Sequence, residues 1–295
     1  MFRHKRCSLS LKEIRVVGTA LITGCSSGLG RSTALRFASE GWNVIATMRK
    51  PDPRLAELYP DRVLVQALDV TDQTSVDRSV EAGVEHFGGL DVVVNNAAVS
   101  VVSVFEATPH DVVRTVFETN LFGVMNVLRS ALPHLRAGGG GTIVNISSGV
   151  GLVAVPLLAL YVASKHAIEG LSEALAYELE SQGINVKLIE PGAIRTTNFA
   201  ANTMSTSESV SVPESYRAYF DNAIQAMVNY PFPATEEELV VETILRAATD
   251  CSSQLRYPIG PDTEEYTRLR WSTSEDCYRA EMSRLVGHAS WRERT

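Results

Sequence analysis

Along the chain, short apolar runs alternate with longer stretches in which apolar residues recur every third or fourth position. The runs fall at residues 16–22, 43–47, 63–67, 91–94, 142–146 and 185–189, with a weaker last one near 255–259. Several are rich in Val and Ile and nearly unbroken in apolarity, as strands covered on both faces must be. Between them, residues 30–40 read as a helix ending at Gly41, a C-terminal cap. Residues 108–135 read as one long helix, with Thr108 capping its start and Pro109 in its first turn. Residues 157–182 read as another, ending at Gly183. Strand–helix alternation of this kind predicts a doubly wound parallel sheet, a Rossmann-like α/β fold in three αβα layers. No repeat of solenoid length is found, and the glycine run 138–141 reads as a flexible turn before a strand. Past Gly192 the regularity breaks. Residues 197–213, rich in Ser, Thr and Asn, read as a mobile loop. Residues 214–228 then read as a helix with Tyr216, Tyr219, Phe220, Ala223 and Met227 on one face.

This pattern gives an N-terminal arm, residues 1–14, and one catalytic domain, residues 15–295. Its tail, residues 261–295, exceeds what the minimal fold needs; Tyr266, Leu269, Trp271, Tyr278 and Trp291 mark it as ordered, with no role assigned. A net charge of −7 without a basic stripe argues against a broad nucleic-acid surface. Cys7, Cys25, Cys251 and Cys277 are scattered and form no zinc-type spacing, so no metal and only reduced thiols are expected. The basic start is followed by Lys12, Glu13 and Arg15 rather than by an apolar signal region. Residues 149–163 are uncharged but too short to span a bilayer, and they contain Pro156. A soluble, cytoplasmic protein is expected.

Two local patterns carry chemistry. The first strand runs into Thr23-Gly24-Cys25-Ser26-Ser27-Gly28-Leu29-Gly30 and then a helix. A pyrophosphate needs backbone N–H groups at close approach and gains from the positive end of a helix dipole, which glycines at this point permit. The spacing is GxxxGxG rather than GxGxxG. Further along, Tyr161 and Lys165 are four apart on a helix and share a face. An ammonium beside a phenol favours the phenolate, and a tyrosine so tuned exchanges a proton with a carbonyl or alcohol oxygen. Ser147 and Ser148 follow the 142–146 strand, at the carboxyl edge where ligands bind in parallel sheets. Either hydroxyl is placed to bond the same oxygen, and spacing alone does not choose between them.

These motifs, with Asp69, Asn95-Asn96-Ala97-Ala98, Asn120, Ile146-Ser147-Ser148, Tyr161-Val162-Ala163-Ser164-Lys165 and Pro191-Gly192, resemble the short-chain dehydrogenase/reductase family in its single-domain form. The resemblance covers residues 16–196 and, more loosely, the rest. It implies that Ser148 polarises a carbonyl, Tyr161 transfers the proton, Lys165 holds the nicotinamide ribose, and Asn120 anchors a proton relay within a helix kink. It implies cofactor contacts at Thr23, Gly24, Ser26, Ser27, Gly28, Leu29, Gly30, Asp69, Val70, Asn96 and Ala97. Pro191, Gly192, Ile194 and Thr196 are implied around the nicotinamide. Ala98 replaces the family's glycine, so a small backbone shift is expected there.

The second strand ends in Met48-Arg49-Lys50 without the acid that binds a ribose 2′-OH. Arg49, with Ser26 and Ser27, suits a 2′-phosphate, so NADP(H) is expected over NAD(H). The expected activity is hydride transfer between that cofactor and a ketone, aldehyde or alcohol. The alternatives are an NAD-dependent alcohol or hydroxysteroid-type dehydrogenase, or a nucleotide-sensing regulator without catalysis. Sugar-nucleotide epimerases share YxxxK but differ in glycine spacing. Following the family, residues 197–232 form a substrate lid, and Val99, Val102, Val150 and Val153 line the opposite wall. The substrate is expected to be neutral and largely apolar. Helices 108–135 and 157–182 are apolar on more than one face, which implies a homodimer or homotetramer, testable by sedimentation.

Overall fold

Each apolar run becomes a strand: β1 (Thr19–Ile22), β2 (Asn43–Met48), β3 (Val63–Ala67), β4 (Val92–Asn95), β5 (Gly141–Ile146), β6 (Ile184–Pro191) and β7 (Arg256–Ile259). The computed structural model describes residues 18–195, 199, 203, 207 and 210–293. The strands form one parallel sheet in the order β3-β2-β1-β4-β5-β6-β7. Leu21 of β1 pairs with Ile45 on one side and Val93 on the other, so the strand order reverses at β1. At such a switch point the loops leave in opposite directions and open a crevice at the carboxyl edge.

Helices cover both faces, because Val and Ile point both ways from these strands. On one face lie α1 (Gly28–Ser39) and a later helix, Glu237–Thr249, joined to the sheet through Ala34, Phe37, Val240 and Ile244. On the other lie α2 (Gln73–Phe87), α4 (Gly123–Ala137) and α5 (Ala159–Glu180), which bury Val80, Val127, Leu135 and Ile168. Side chains of this kind each contribute roughly 1.5–3 kcal/mol when fully buried. Helix α2 was not read from the sequence, although Asp72 caps it and Val76, Val80 and Val84 repeat every four residues.

The long helix expected over 108–135 is divided. Helix α3 (His110–Phe117) starts after Pro109, and a π-helical turn, Glu118–Phe122, separates it from α4. Thr108 does not cap it: its hydroxyl donates to the Val104 carbonyl and bonds Ser103. The expected kink at Asn120 is this π turn.

After β6, helix α6 (Arg217–Val228) and α7, the helix Glu237–Thr249, precede β7. The chain then adds α8 (Pro261–Ser272), α9 (Glu275–Leu285) and α10 (His288–Arg292). This extension is held by a core of its own, in which Tyr266, Leu269, Met282 and Leu285 pack on Leu152 and Val153. The apolar face of α6 packs on Val102, Val104 and Leu157.

Residues 1–14 lie outside the described residues, as does most of 197–213. Cys25 and Cys277 are free, Cys25 buried and Cys277 exposed. Among the described residues, no helix is long and apolar enough to cross a membrane, and no acid, His and Cys group is arranged to hold a metal.

Candidate active site

The carboxyl edge opens into a cleft of about 1360 Å³, larger than the roughly 300–1,000 Å³ of a single-ligand pocket. At one end is the glycine loop. Gly24 and Gly28 take positive φ, +74° and +52°, which lets the chain turn from β1 into α1. Gly30 is packed so closely that a Cβ there would lie 2.4 Å from both the Gly24 carbonyl oxygen and Asn96 Nδ2. Ser27 precedes α1 without a side-chain cap. The first-turn N–H groups of α1 therefore meet the cleft without a side-chain acceptor, the arrangement an anion needs. Gly24, Ser26, Ser27, Gly28, Leu29 and Gly30 all line this end. Cys25, within the same loop, is fully buried, and burial pushes its thiol up to about 12, so it is inert.

Thr23 lies behind the loop rather than in it. Its hydroxyl accepts from the N–H groups of Asn96 and Ala97, both at 3.0 Å, and Asn96 Nδ2 donates to its carbonyl at 2.8 Å. The two loops flanking the switch point are thereby stapled together, with Asn96, Ala97 and Ala98 facing the cleft. Asp69 and Val70 line the cleft beyond β3, and Asp69 accepts from the Thr71 N–H and hydroxyl.

At the end of β2, Arg49 lines the cleft and is exposed; Lys50 does not reach it. Asp52 is committed elsewhere. Its carboxylate takes Arg54 Nε and Nη2 at 2.9 Å each and stands 3.9 Å from Arg31. The Arg54 guanidinium first, then the Arg54 N–H, hold it below its usual range against some desolvation. Among the described residues, neither Asp52 nor another acid lines the cleft beside Arg49 at the end of β2.

Near the centre, Tyr161 and Lys165 share one face of α5, with Lys165 Nζ 5.5 Å from the Tyr161 ring centroid. Ser148, two residues past β5, lines the cleft together with Tyr161, and its hydroxyl accepts from the Val150 N–H at 3.3 Å. Ser147 does not compete: its hydroxyl is buried without a partner and turns toward Gly151 and Glu169. The expected phenol pKa shift runs the other way. Burial pushes the Tyr161 phenol above its ordinary value, and the nearby Ser148 hydroxyl opposes this only in part. Lys165 donates Nζ to the Ile146 carbonyl at 2.7 Å, and its own burial lowers it to about 8 against the pull of Glu169. A buried ammonium with a weakened hold on its proton stabilises a phenolate poorly.

Asn120 does not line the cleft. Its side chain accepts from the Val99 N–H and donates to the Val99 carbonyl, both at 2.8 Å, and donates to Ser164 Oγ at 3.0 Å. It ties the π turn to the loop after β4 and to the back of α5. Pro191, Gly192 and Ile194 line the cleft beyond β6, while Thr196 lies outside the described residues.

The far wall combines Val99, Val102 and Val150 with Val155, Met227 and Tyr230. Val153 is not in it; it is fully buried beneath the extension. The sequence reading missed Asp262 and Tyr266 of the extension, which also line the cleft. Their signal was position: they follow β7 at the carboxyl edge. Tyr266 hydrogen-bonds Tyr230, and a Cβ on Gly149 would lie 3.2 Å from its ring.

The sequence model of the family described as short chain dehydrogenase matches residues 18–207. An uncharacterized oxidoreductase of Schizosaccharomyces pombe is 37% identical over 244 residues, which cover 81% of this chain and all of that protein. A short-chain dehydrogenase from Streptomyces avermitilis superposes with a TM-score of 0.76 at 30% identity, covering 92% of this chain and 96% of that one. ElxO with NADP bound has a TM-score of 0.68 at 28% identity over 81% of this chain and 96% of its own. A 3-ketoacyl-(acyl-carrier-protein) reductase from Brucella melitensis complexed with NADH has a TM-score of 0.67 at 26% identity, over 81% of this chain and 96% of that one.

Proposed function

The chain belongs to the short-chain dehydrogenase family and is an oxidoreductase; on that premise we propose that it reduces a ketone or aldehyde with NADPH, or runs the reverse oxidation, with Tyr161 as acid/base. The observation that carries this reading is Tyr161 in the cleft at the carboxyl edge, with Lys165 on the same helix face and Ser148 lining the same cleft. When bound, the dinucleotide supplies the hydride. The uncapped start of α1 would hold its pyrophosphate, and Pro191, Gly192 and Ile194 its nicotinamide. A substrate carbonyl oxygen would receive hydrogen bonds from Ser148 and Tyr161. As negative charge develops on that oxygen, Tyr161 gives up its proton. A phenol held protonated by burial is suited to that donor role at neutral pH. Lys165 and Asn120 act behind it, the one at the ribose and phenol, the other holding the π turn.

NADP(H) is favoured by Arg49 in the cleft and by the engagement of Asp52 with Arg54. Arg49→Ala is expected to erode the preference for NADPH over NADH by about 1.5–3 kcal/mol, roughly 10- to 150-fold in kcat/KM, from lost charge-assisted bonds. A wild-type protein that favours NADH would refute the assignment of Arg49.

Residues 197–232, with the apolar wall, favour a neutral, largely apolar substrate, since such a pocket gains by burying apolar area and excluding water from the hydride path. The deciding experiment is NADPH oxidation across matched ketones, one member apolar and one bearing a carboxylate or phosphate. Turnover with the apolar ketone is expected. A higher kcat/KM for the charged member would refute the apolar pocket, and no turnover with any carbonyl would refute the reaction.

A further inference from the structure

Asp262 is a carboxylate only 3% exposed, in the first turn of α8, at the edge of the cleft. Among the described residues it has no ion-pair partner. Its Oδ2 accepts from the Ala193 N–H at 2.9 Å and its Oδ1 from the Thr263 N–H at 3.0 Å. Backbone N–H groups and the positive end of α8 thus compensate a charge that burial alone would make costly. The approach to β6 is close: a Cβ on Gly192 would stand 1.8 Å from Asp262 Oδ1. Gly260 makes the approach possible by turning at φ +102°, where a Cβ would lie 2.1 Å from Thr235 Oγ1. Thr235 in turn donates its N–H to the Ala193 carbonyl at 2.9 Å. Both backbone polar groups of Ala193 are therefore held, one by Asp262 and one by Thr235.

Ala193 lies between Gly192 and Ile194, in the segment assigned above to the nicotinamide. We propose that Asp262 is a positioning residue for the nicotinamide half of the cofactor, through which the C-terminal extension fixes the backbone at residues 192–194. The inference rests on the proposed dinucleotide site. It gives the extension a part in hydride transfer that a peripheral decoration would not have. A segment released by about 1 Å misaligns the reacting atoms, which costs on the order of 100-fold in rate.

The test uses the full chain and two nucleotides. NADPH reports both halves of the site, and its nicotinamide fluorescence reports the environment of that ring. The fragment 2′,5′-ADP reports the adenosine half alone. Asp262→Asn offers one acceptor oxygen and turns an amide NH2 toward the other N–H. It is expected to weaken NADPH, to abolish the fluorescence change on binding and to lower kcat by roughly 10- to 100-fold, with 2′,5′-ADP binding unchanged. Asp262→Ser keeps a short acceptor at the helix start but cannot reach Ala193; it should show the same split and covers the case in which the Asn variant does not fold. Unchanged NADPH binding and turnover in both variants would overturn the proposal. So would an equal loss of NADPH and 2′,5′-ADP, which marks a general loosening. A wild-type protein that binds 2′,5′-ADP but not NADPH would overturn the nicotinamide assignment itself, and binding of neither nucleotide would overturn the NADP(H) reading on which the proposal rests.

Discussion

Tyr161→Phe is expected to lower kcat for carbonyl reduction by at least about 100-fold, the low end of general acid catalysis, with NADPH affinity near that of the wild type. The substitution removes one hydroxyl and keeps the ring. That ring stands 5.7 Å from Phe199 and 5.5 Å from Lys165 Nζ, contacts that a phenyl group preserves. The glycine loop, Arg49 and the segment beyond β6 are untouched, so the cofactor site persists. Ser148 remains to bond the carbonyl, but its hydroxyl is a far weaker acid and cannot replace the phenol. Steady-state kinetics together with NADPH titration separates the two effects. Near-normal turnover would remove Tyr161 from the chemistry, and a parallel loss of NADPH binding would make it a binding residue instead.

Arg256→Leu is expected to destabilise the fold by about 3–5 kcal/mol, as removing one partner of a buried ion pair does. The Arg256 guanidinium bonds Glu169, lies 3.1 Å from Glu190 Oε1 and 3.5 Å from Glu173, and stacks 5.4 Å from the Trp271 ring. Glu190 is fully buried and Glu169 nearly so. Burial first, then the facing Glu169, push the Glu190 carboxyl up to about 8, and Arg256 only partly restrains the rise. A carboxyl whose folded pKa is raised stabilises fully below its unfolded value near 4.5, and that contribution fades as pH climbs toward about 8. The leucine variant should therefore be weakest at pH 8 and closest to the wild type at pH 5. Urea unfolding at the two pH values measures this. A loss below about 1 kcal/mol at both would mean that the ion-pair cluster contributes no more than an exposed pair.

The sheet was legible because its signal is local: Val- and Ile-rich runs fall within about three residues of the observed strands. The glycine loop, Tyr161 and Lys165 were legible for the same reason, since their spacing within one helix or turn fixes their geometry. Ser147 and Ser148 were not separable, because neighbouring residues at a strand end differ only in direction, and direction depends on what waits beneath. Gly151 and Glu169 take Ser147 inward. The phenol shift was misjudged because spacing reports a nearby ammonium but not the desolvation that outweighs it. Arg256 lies 87 residues from Glu169 and 66 from Glu190, so no window along the chain brings them together. Asp262 was invisible for a like reason: its partner at Ala193 is 69 positions away.

The π turn at Glu118–Phe122 has a bearing on engineering. Such a turn carries one more residue than a regular helical turn, and each residue advances a helix by about 100°. Regularising this stretch would gain local hydrogen bonding and is the kind of change that stability optimisation selects. It would also rotate Asn120 away from Val99 and Ser164, which it joins at 2.8–3.0 Å. α4 would turn by the same angle against α2 and the loop before it, where Gly123 already packs on Val70 closely enough that a Cβ would lie 2.7 Å from it. A thermostable redesign must therefore leave the irregular turn alone and seek its gains on exposed surface, because the defect in the helix is what joins the loop after β4 to the helix that bears Tyr161.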